Sequence, residues 1–327
     1  MLCTKCNKET VDGNFCVHCG NSLSAVEQEP TLYELKESWS CLHYRRIGKA
    51  TIECYEYVWK MFTPLYNYPF SKIRASDIQN LIDSNSHLSK SAIGKLKTLY
   101  SLLCRHAINE RIVPHNFTAY LYNSGQPQKT TEIFTDNDIA LLQDCVEERT
   151  SKYWKDARIV LCLIFSGYRP NELFSITKDK VFLEEKYLIS GSKTTAGKNR
   201  IVPISECILP YISELFKESF IFSNNSPYLF QSSKGNKINL KHWRERRFYP
   251  LMQELSINNS NKKNTPYSAR HTFATLCFRA NVNDDIKIKM IGHTDVSLTN
   301  EVYTHFSIDQ YKQEITKIDK LASGFGT

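Results

Sequence analysis

Two sets of residues in this 327-residue chain have the types and spacing to do chemistry. The first is compact. "CTKC" and "CVHC" place Cys3, Cys6, Cys16 and Cys19 as two C-x-x-C pairs separated by nine residues. Each pair can present two thiolates from a tight knuckle, and two knuckles close a tetrahedral four-thiolate site of the kind that suits Zn2+. Gly20 follows the second pair, where a turn free of a Cβ is useful. His18 could replace one ligand, but the regular cysteine spacing favours the four thiolates. A thioredoxin-like redox pair needs a larger fold than so short a segment can build. A module of this size cannot bury enough surface to fold without its metal.

The second set is dispersed. In "GYRPNELFSI", Arg169 stands just past the end of an apolar helix that Gly167 terminates, and Pro170 starts a new turn. Lys193 begins a tip rich in Gly, Ser, Thr and Lys within "KYLISGSKTTAGKNRIVPI". "TPYSARHTFATLCFRA" starts a helix with Arg270 and His271 in its first turns. An arginine there opposes the helix dipole, while the free N–H groups of the terminus attract an anion. Both features suit a phosphate. "GHTDVSLTNEVYTH" carries His293 and, ten residues further on, Tyr303. Taken singly, each has an ordinary reading: a salt-bridged arginine, a solubilising lysine, a packing tyrosine. Their chemistry rests on what brings them together.

The elements that must do so are mainly helical. "SAIGKLKTLYSLLCRHAI" repeats Ile93, Leu96, Leu99, Leu103 and Ala107 at steps of three and four, one buried helix face. In "SDIQNLI", Ser76 is the expected N-cap. "KYLISGSKTTAGKNRIVPI" alternates like a β-hairpin. "NSLSAVEQEP" is polar and "NSGQPQKTT" breaks the periodicity with Gly and Pro, so both read as linkers. The expected layout is a cysteine module at 1–22, a linker at 23–30, a helical domain at 31–122, a linker at 123–131 and a larger domain at 132–327. Arg45, Arg46 and Lys49 cluster beside Tyr44 and are candidates for phosphate contact. The balance of 42 Lys+Arg against 34 Asp+Glu, net +8, fits a nucleic-acid partner without demanding one. No apolar run is long enough for a membrane span, and the first residues lack a signal core. The 11 cysteines suit a reducing cytoplasm.

In order, Arg169, Lys193, Arg270, His293 and Tyr303 resemble the motifs of the tyrosine recombinase (phage integrase) family, especially integrases of conjugative transposons and temperate phages. The matching stretches are "EIFTDNDIALL", "GYRPNEL", "SGSKTTAGKNRIVPI", "YSARHTFAT" and "IGHTDVSLTNEVYTH". The N-terminal module resembles a zinc ribbon, with DNA contact or protein contact among its open roles. The resemblance implies a multidomain chain: the ribbon, an all-α core-binding domain built as a SAM-like bundle, and a mainly α catalytic domain with a small antiparallel β-sheet. It implies Arg169 and Arg270 on the scissile phosphate, His293 as a third donor, Lys193 as general acid and Tyr303 as nucleophile. Glu172 matches an acidic position that orients an active-site cation. One position departs: where the family usually has histidine, three residues before the second arginine, this chain has Tyr267, which can donate a hydrogen bond but is a poor base near neutral pH.

The implied activity is cleavage and rejoining of double-stranded DNA at specific attachment or core sites through a 3′-phosphotyrosyl intermediate, with no cofactor at that centre. The implied assembly is a homotetramer on synapsed DNA, each protomer a clamp on the duplex, served by an excisionase or host DNA-bending protein. The enzyme would be cytoplasmic and nucleoid-associated, with no membrane partner. Integration and excision of a mobile element is the expected task. A chromosome-dimer resolvase or DNA invertase is the alternative within the family, and a non-catalytic DNA-binding regulator on the same fold is the alternative outside it. A tail after Tyr303 keeps Phe306, Tyr311, Ile315, Ile318 and Leu321 at helical spacing, and the resemblance implies that it docks on a neighbouring protomer.

Overall fold

The computed structural model describes residues 3, 5–11, 15–20, 29–127, 132–149, 151–191, 199–222, 225–260, 262–292 and 306–325. The chain divides into two units, Met1–Lys129 and Thr130–Thr327. In the first, Thr31 opens α1 (Leu32–His43). Its hydroxyl accepts the Glu34 N–H while the Glu34 carboxylate accepts the Thr31 N–H, a capping box whose cap contributes about 1 kcal/mol. Then follow α2 (Lys49–Trp59), α3 (Ala75–Ser84) and α4 (Lys90–Asn109). The stripe Ile93, Leu96, Leu99, Leu103 and Ala107 is fully buried. It shares one apolar cluster with Leu32, Val58, Phe62 and Ile78.

Two local expectations shift in this unit. The Asp77 carboxylate accepts the Arg74 N–H at 2.8 Å, so α3 starts earlier and Ser76 lies inside its first turn, not at the cap. The stretch read as a linker from residue 123 begins as part of the unit. Gln126 and the α4 start exchange backbone bonds, Lys90 N–H to Gln126 O and Gln126 N–H to Leu88 O, both 2.7 Å. A Cβ on Gly125 would meet the Lys90 backbone at 2.9 Å. Gly and polar residues mark a loop here, but the loop is docked.

The second unit begins with α5 (Asp136–Glu148), capped by Thr135 and Asp138. In α6 (Trp154–Ser166) every residue from Asp156 onward is buried. Gly167 ends it in the left-handed conformation, φ 63°. A Cβ there would fall 2.3 Å from the Phe273 ring, so the position needs glycine for its dihedral and for the close approach. After α7 (Pro170–Leu173) come β1 (Val181–Phe182), β2 (Tyr187–Ser190) and β3 (Arg200–Pro203). They form a three-stranded antiparallel sheet in that order, with Leu188 opposite Val202.

The remaining elements are α8 (Leu209–Phe222), α9 (Leu240–Trp243), a π turn at Arg244–Phe248, α10 (Tyr249–Glu254), α11 (Ser268–Arg279), α12 (Asp284–Ile291) and α13 (Ile308–Ala322). Regular α geometry would set Trp243 and Phe248 about 140° apart around the axis. The wider π turn lets both reach the core. The Trp243 indole N–H donates to Asp156 at 2.7 Å, and Arg247 pairs with the same buried carboxylate at 2.8 Å. Burial pushes the Asp156 carboxyl above its usual range, against the pull of Arg247.

The structure places α13 on its own unit. Ile315, Ile318 and Ala322 are buried in the same apolar cluster as α6 and α11. The Ser205 hydroxyl donates to Asp319, and Glu314 accepts the Asn283 N–H at 2.8 Å. The tail's apolar stripe is thus satisfied within the chain that carries it. Among the described residues no helix is long and apolar enough to cross a membrane.

Candidate active site

The terminus of α6, the turn of α7, the start of β3 and the first turn of α11 bring together three arginines, two of them paired with Glu172. Gly167 ends α6 two residues before Arg169, and Pro170 restarts the chain as α7. This turn aims Glu172 back at Arg169: its carboxylate accepts the Arg169 backbone N–H at 2.9 Å and pairs with the guanidinium at 2.8 Å. The other Arg169 Nη donates weakly to the Gly292 carbonyl at 3.4 Å. From β3, Arg200 pairs with the same Glu172 at 2.7 Å and donates through Nε to the Met290 carbonyl at 2.9 Å. Its guanidinium lies 4.5 Å from the centre of the Tyr168 ring. The Tyr168 hydroxyl is spent on the Leu188 carbonyl at 3.0 Å, so this residue braces the sheet.

Arg270 comes from α11 and donates to the Gly167 carbonyl at 2.9 Å. It is 7% exposed, yet its other terminal nitrogen, Nη2, has no hydrogen-bond partner. Arg200 Nη1 is in the same condition. Burial, then the positive charges of Arg169 and Arg200, bring Arg270 down to about 9. It stays charged at neutral pH. Burial opposes ionisation of Glu172, but the pairs with Arg200 and Arg169 outweigh it and hold the carboxyl below its usual range. The cluster therefore holds three positive charges against one negative charge. Buried donors without partners cost free energy unless a ligand satisfies them. This arrangement can bind an anion carrying one or two negative charges.

The other expected residues divide. Tyr267 is at the N-cap of α11 and 45% exposed. Its phenol is close enough to influence Arg270 electrostatically. Lys193, His293 and Tyr303 lie outside the described residues. The flanking positions are defined: Gly191 and Asn199 are joined by a backbone bond of 3.2 Å at the hairpin, and Gly292 caps α12 at φ 68°. Sequence reasoning did not single out Arg200. Its signal was the alternation of "NRIVPI", which puts Arg200 on the inward side of β3 with Val202. An arginine at an inward strand position needs a partner.

The four N-terminal cysteines converge. Their sulfurs all lie within 4.8 Å of one another. Cys3 and Cys19 approach to 3.6 Å and Cys6 and Cys16 to 3.7 Å. A tetrahedral thiolate site with metal–sulfur bonds of about 2.3 Å has edges of about 3.8 Å, so the donor set fits a metal ion. The Lys5 and His18 N–H groups each point at a knuckle sulfur at 3.4 Å, Cys3 and Cys16 respectively. Burial raises the Cys16 thiol, but the N–H groups of His18 and Cys19 and the neighbouring sulfurs bring it down to about 6. The His18 ring instead meets the Glu9 carbonyl at 3.1 Å.

Arg45, Arg46 and Lys49 are exposed around the 3-10 turn Tyr44–Arg46. Beneath them, the Tyr44 hydroxyl donates to Glu56 at 2.6 Å, and the buried Lys36 pairs with Glu56 at 2.9 Å. The turn is anchored while its cations face solvent.

The phage integrase family model matches residues 132–309, more than half of the chain. The tyrosine recombinase XerA of Pyrococcus horikoshii is 30% identical over 177 residues, which span 53% of this chain and 58% of that protein. The tyrosine recombinase XerD of Staphylococcus epidermidis strain ATCC 35984 is 23% identical over 247 residues, 74% of this chain and 80% of that one. The Tn1549 transposon integrase, residues 82–397 with Y379F, in complex with transposon right end DNA, superposes with a TM-score of 0.68 at 18% identity. That superposition covers 88% of this chain and 99% of the other. The last likeness shows the fold: helical, with a small antiparallel sheet.

Proposed function

Because the chain belongs to the phage integrase family, we propose that it is a site-specific DNA recombinase that cleaves and rejoins duplex DNA through a tyrosine ester. The observation that carries this reading is the cluster of Arg169, Arg200 and Arg270, two of them paired with the buried Glu172 and the third, Arg270, buried with its Nη2 unpartnered. A phosphodiester brings one negative charge and acquires a second as the nucleophile adds. Preorganised guanidiniums that gain strength as this charge develops are the main source of catalysis at such a centre.

In the proposed reaction Tyr303 gives up its phenolic proton to water, its oxygen attacks phosphorus and the bond to the 5′-oxygen breaks. Arg169, Arg270 and His293 hold the non-bridging oxygens. Lys193 gives its proton to the departing 5′-oxygen. The phosphotyrosyl ester keeps the bond energy of the strand, so a 5′-hydroxyl can reverse the step without a cofactor. Tyr267 supplies a further hydrogen bond to the phosphate. Arg45, Arg46 and Lys49 hold the DNA backbone. Four protomers on two sites exchange strands pairwise, and integration and excision of a mobile element is the task we favour, with an excisionase or host bending protein setting direction. In the N-terminal module Cys3, Cys6, Cys16 and Cys19 hold Zn2+, which serves folding and not cleavage.

The test is Tyr303→Phe with a nicked duplex from the junction between the element and its flanking chromosome. DNA binding should persist and the covalent 3′-phosphotyrosyl adduct should vanish. An adduct that survives moves the nucleophile elsewhere, and a parent that forms none favours the silent DNA-binding regulator.

A further inference from the structure

Arg200 belongs to the guanidinium cluster, yet the proposed chemistry assigns it no phosphate oxygen. Its side chain is 4% exposed and is held on three sides: by the Glu172 carboxylate at 2.7 Å, the Met290 carbonyl at 2.9 Å and the Tyr168 ring face at 4.5 Å. Each contact belongs to a different segment. Glu172 is the residue that orients Arg169, through the backbone N–H and the guanidinium. Met290 lies in the last turn of α12, two residues before Gly292, whose carbonyl meets Arg169. Arg200 itself opens β3, the strand that returns from the hairpin tip. One guanidinium thus joins the turn carrying Arg169, the base of the hairpin and the end of α12.

We propose that Arg200 is a positioning residue for this phosphate-binding cluster: through Glu172 it fixes Arg169, and through the Met290 carbonyl it fixes the end of α12 that leads to His293. The proposal rests on the recombinase reading only for the identity of the ligand as a DNA phosphate. The physical case is independent of it. Glu172 has two oxygens and makes three bonds, two to Arg169 and one to Arg200. Without Arg200 the carboxylate loses a charged partner and can rotate, and the Arg169 guanidinium loses its fixed direction. A buried arginine fork that spans a carboxylate and a carbonyl is not replaced by lysine, whose single ammonium cannot reproduce the planar geometry. Groups that orient a primary ligand typically change affinity or activity by about 10–100-fold when removed.

The experiment compares the full-length parent with Arg200→Lys, Arg200→Gln, Glu172→Gln and the Arg200→Gln/Glu172→Gln pair. Two readouts are used. The first is stabilisation by inorganic phosphate against chloride at equal ionic strength, which reports the anion site without any cleavage. The second is the single-turnover rate of covalent adduct on the nicked junction duplex, with duplex affinity measured alongside. Both Arg200 variants should bind duplex like the parent, lose phosphate stabilisation and cleave about 10–100-fold more slowly. The double variant should be no slower than the worse single one, because both changes break one relay. Parent-like cleavage and phosphate response in the Arg200 variants would overturn the proposal, as would losses that multiply in the pair. If the Arg200 variants fail to fold, Glu172→Gln breaks the relay from its other end, and parent-like behaviour there overturns it equally. If the parent yields no adduct but the phosphate response still depends on Arg200, the positioning role stands and the recombinase reading falls.

Discussion

Replacing Gly167 by alanine tests how the fold holds Arg270 in place. Two costs fall on one methyl group. At φ 63° an L-residue is in the left-handed region, which costs about 1–2 kcal/mol relative to glycine. The methyl carbon would also stand 2.3 Å from Phe273 Cδ1 and 2.8 Å from Cε1. Phe273 is fully buried, so its ring cannot swing into solvent, and overpacking of this kind costs about 1–3 kcal/mol. The sum is roughly 2–5 kcal/mol. For a unit of this size, with about 2–4 °C per kcal/mol, the calorimetric transition of the second unit should fall by roughly 4–20 °C. The strain has a direction, since Phe273 and Arg270 share α11 and the Arg270 guanidinium donates to the Gly167 carbonyl. Relief by moving α11 displaces that arginine, so adduct formation should fall more than DNA affinity. Phe273→Leu in the alanine background should recover part of the lost stability, giving a coupling of about 1 kcal/mol or more between the two positions. A loss below about 1 kcal/mol for Gly167→Ala, less than the dihedral alone requires, or strict additivity in the cycle, would refute the close-approach argument.

Tyr267→Phe should slow adduct formation by roughly 10²–10³, the effect of removing one donor to the phosphate oxygens, and Tyr267→His should restore it; a Phe variant as fast as the parent in single turnover removes the donor role. Chelation, or Cys3→Ser with Cys6→Ser, should abolish a stoichiometric zinc signal in elemental analysis and perturb amide resonances of the first 20 or so residues only, while cleavage of a short core site persists; loss of that cleavage would tie the module to the catalytic unit. Truncation after Asp309 removes the buried Ile315, Ile318 and Ala322, and at about 1.5–3 kcal/mol per large apolar side chain should lower the melting of the second unit steeply; unchanged melting would mean the helix is not held on its own unit in solution.

Much of the architecture could be read from periodicity and caps. The Ile93–Ala107 stripe, the Gly167 stop and the hairpin pairing all follow from interactions within a few residues. What escaped depends on partners distant in sequence. Arg200 looks like one more basic residue beside a basic loop; only Glu172, 28 positions earlier, and Met290, 90 later, make it a buried tie. The docking of Asn123–Gln126 was hidden because polar, glycine-containing composition describes backbone freedom, not where a loop's hydrogen bonds end. The stripe of α13 was visible, but a stripe states that a face is covered and not by whose residues. Ser76 misled because a hydroxyl can cap, while Asp77 offered a charged acceptor one position further on.

The π turn at Arg244–Phe248 takes up one residue more than an α-helix would need between Trp243 and Phe248 in the run from Leu240 to Glu254. Deleting one outward residue within the turn would restore an ordinary α-helix with Trp243 and Phe248 four positions apart, about 40° around the axis, so both would stay on the core face. The indole bond to Asp156 and the burial of Phe248, Leu251 and Met252 would both survive, whereas a further inserted residue would rotate one set away from the other by about 100°. Substitutions on the outward face at Glu245 and Arg246 leave this frame untouched, because neither residue is part of the Asp156 anchor. The surface of this segment can therefore diversify among descendants of the chain by exchange of side chains and even by loss of one outward turn residue, whereas a further single-codon insertion within it should be purged.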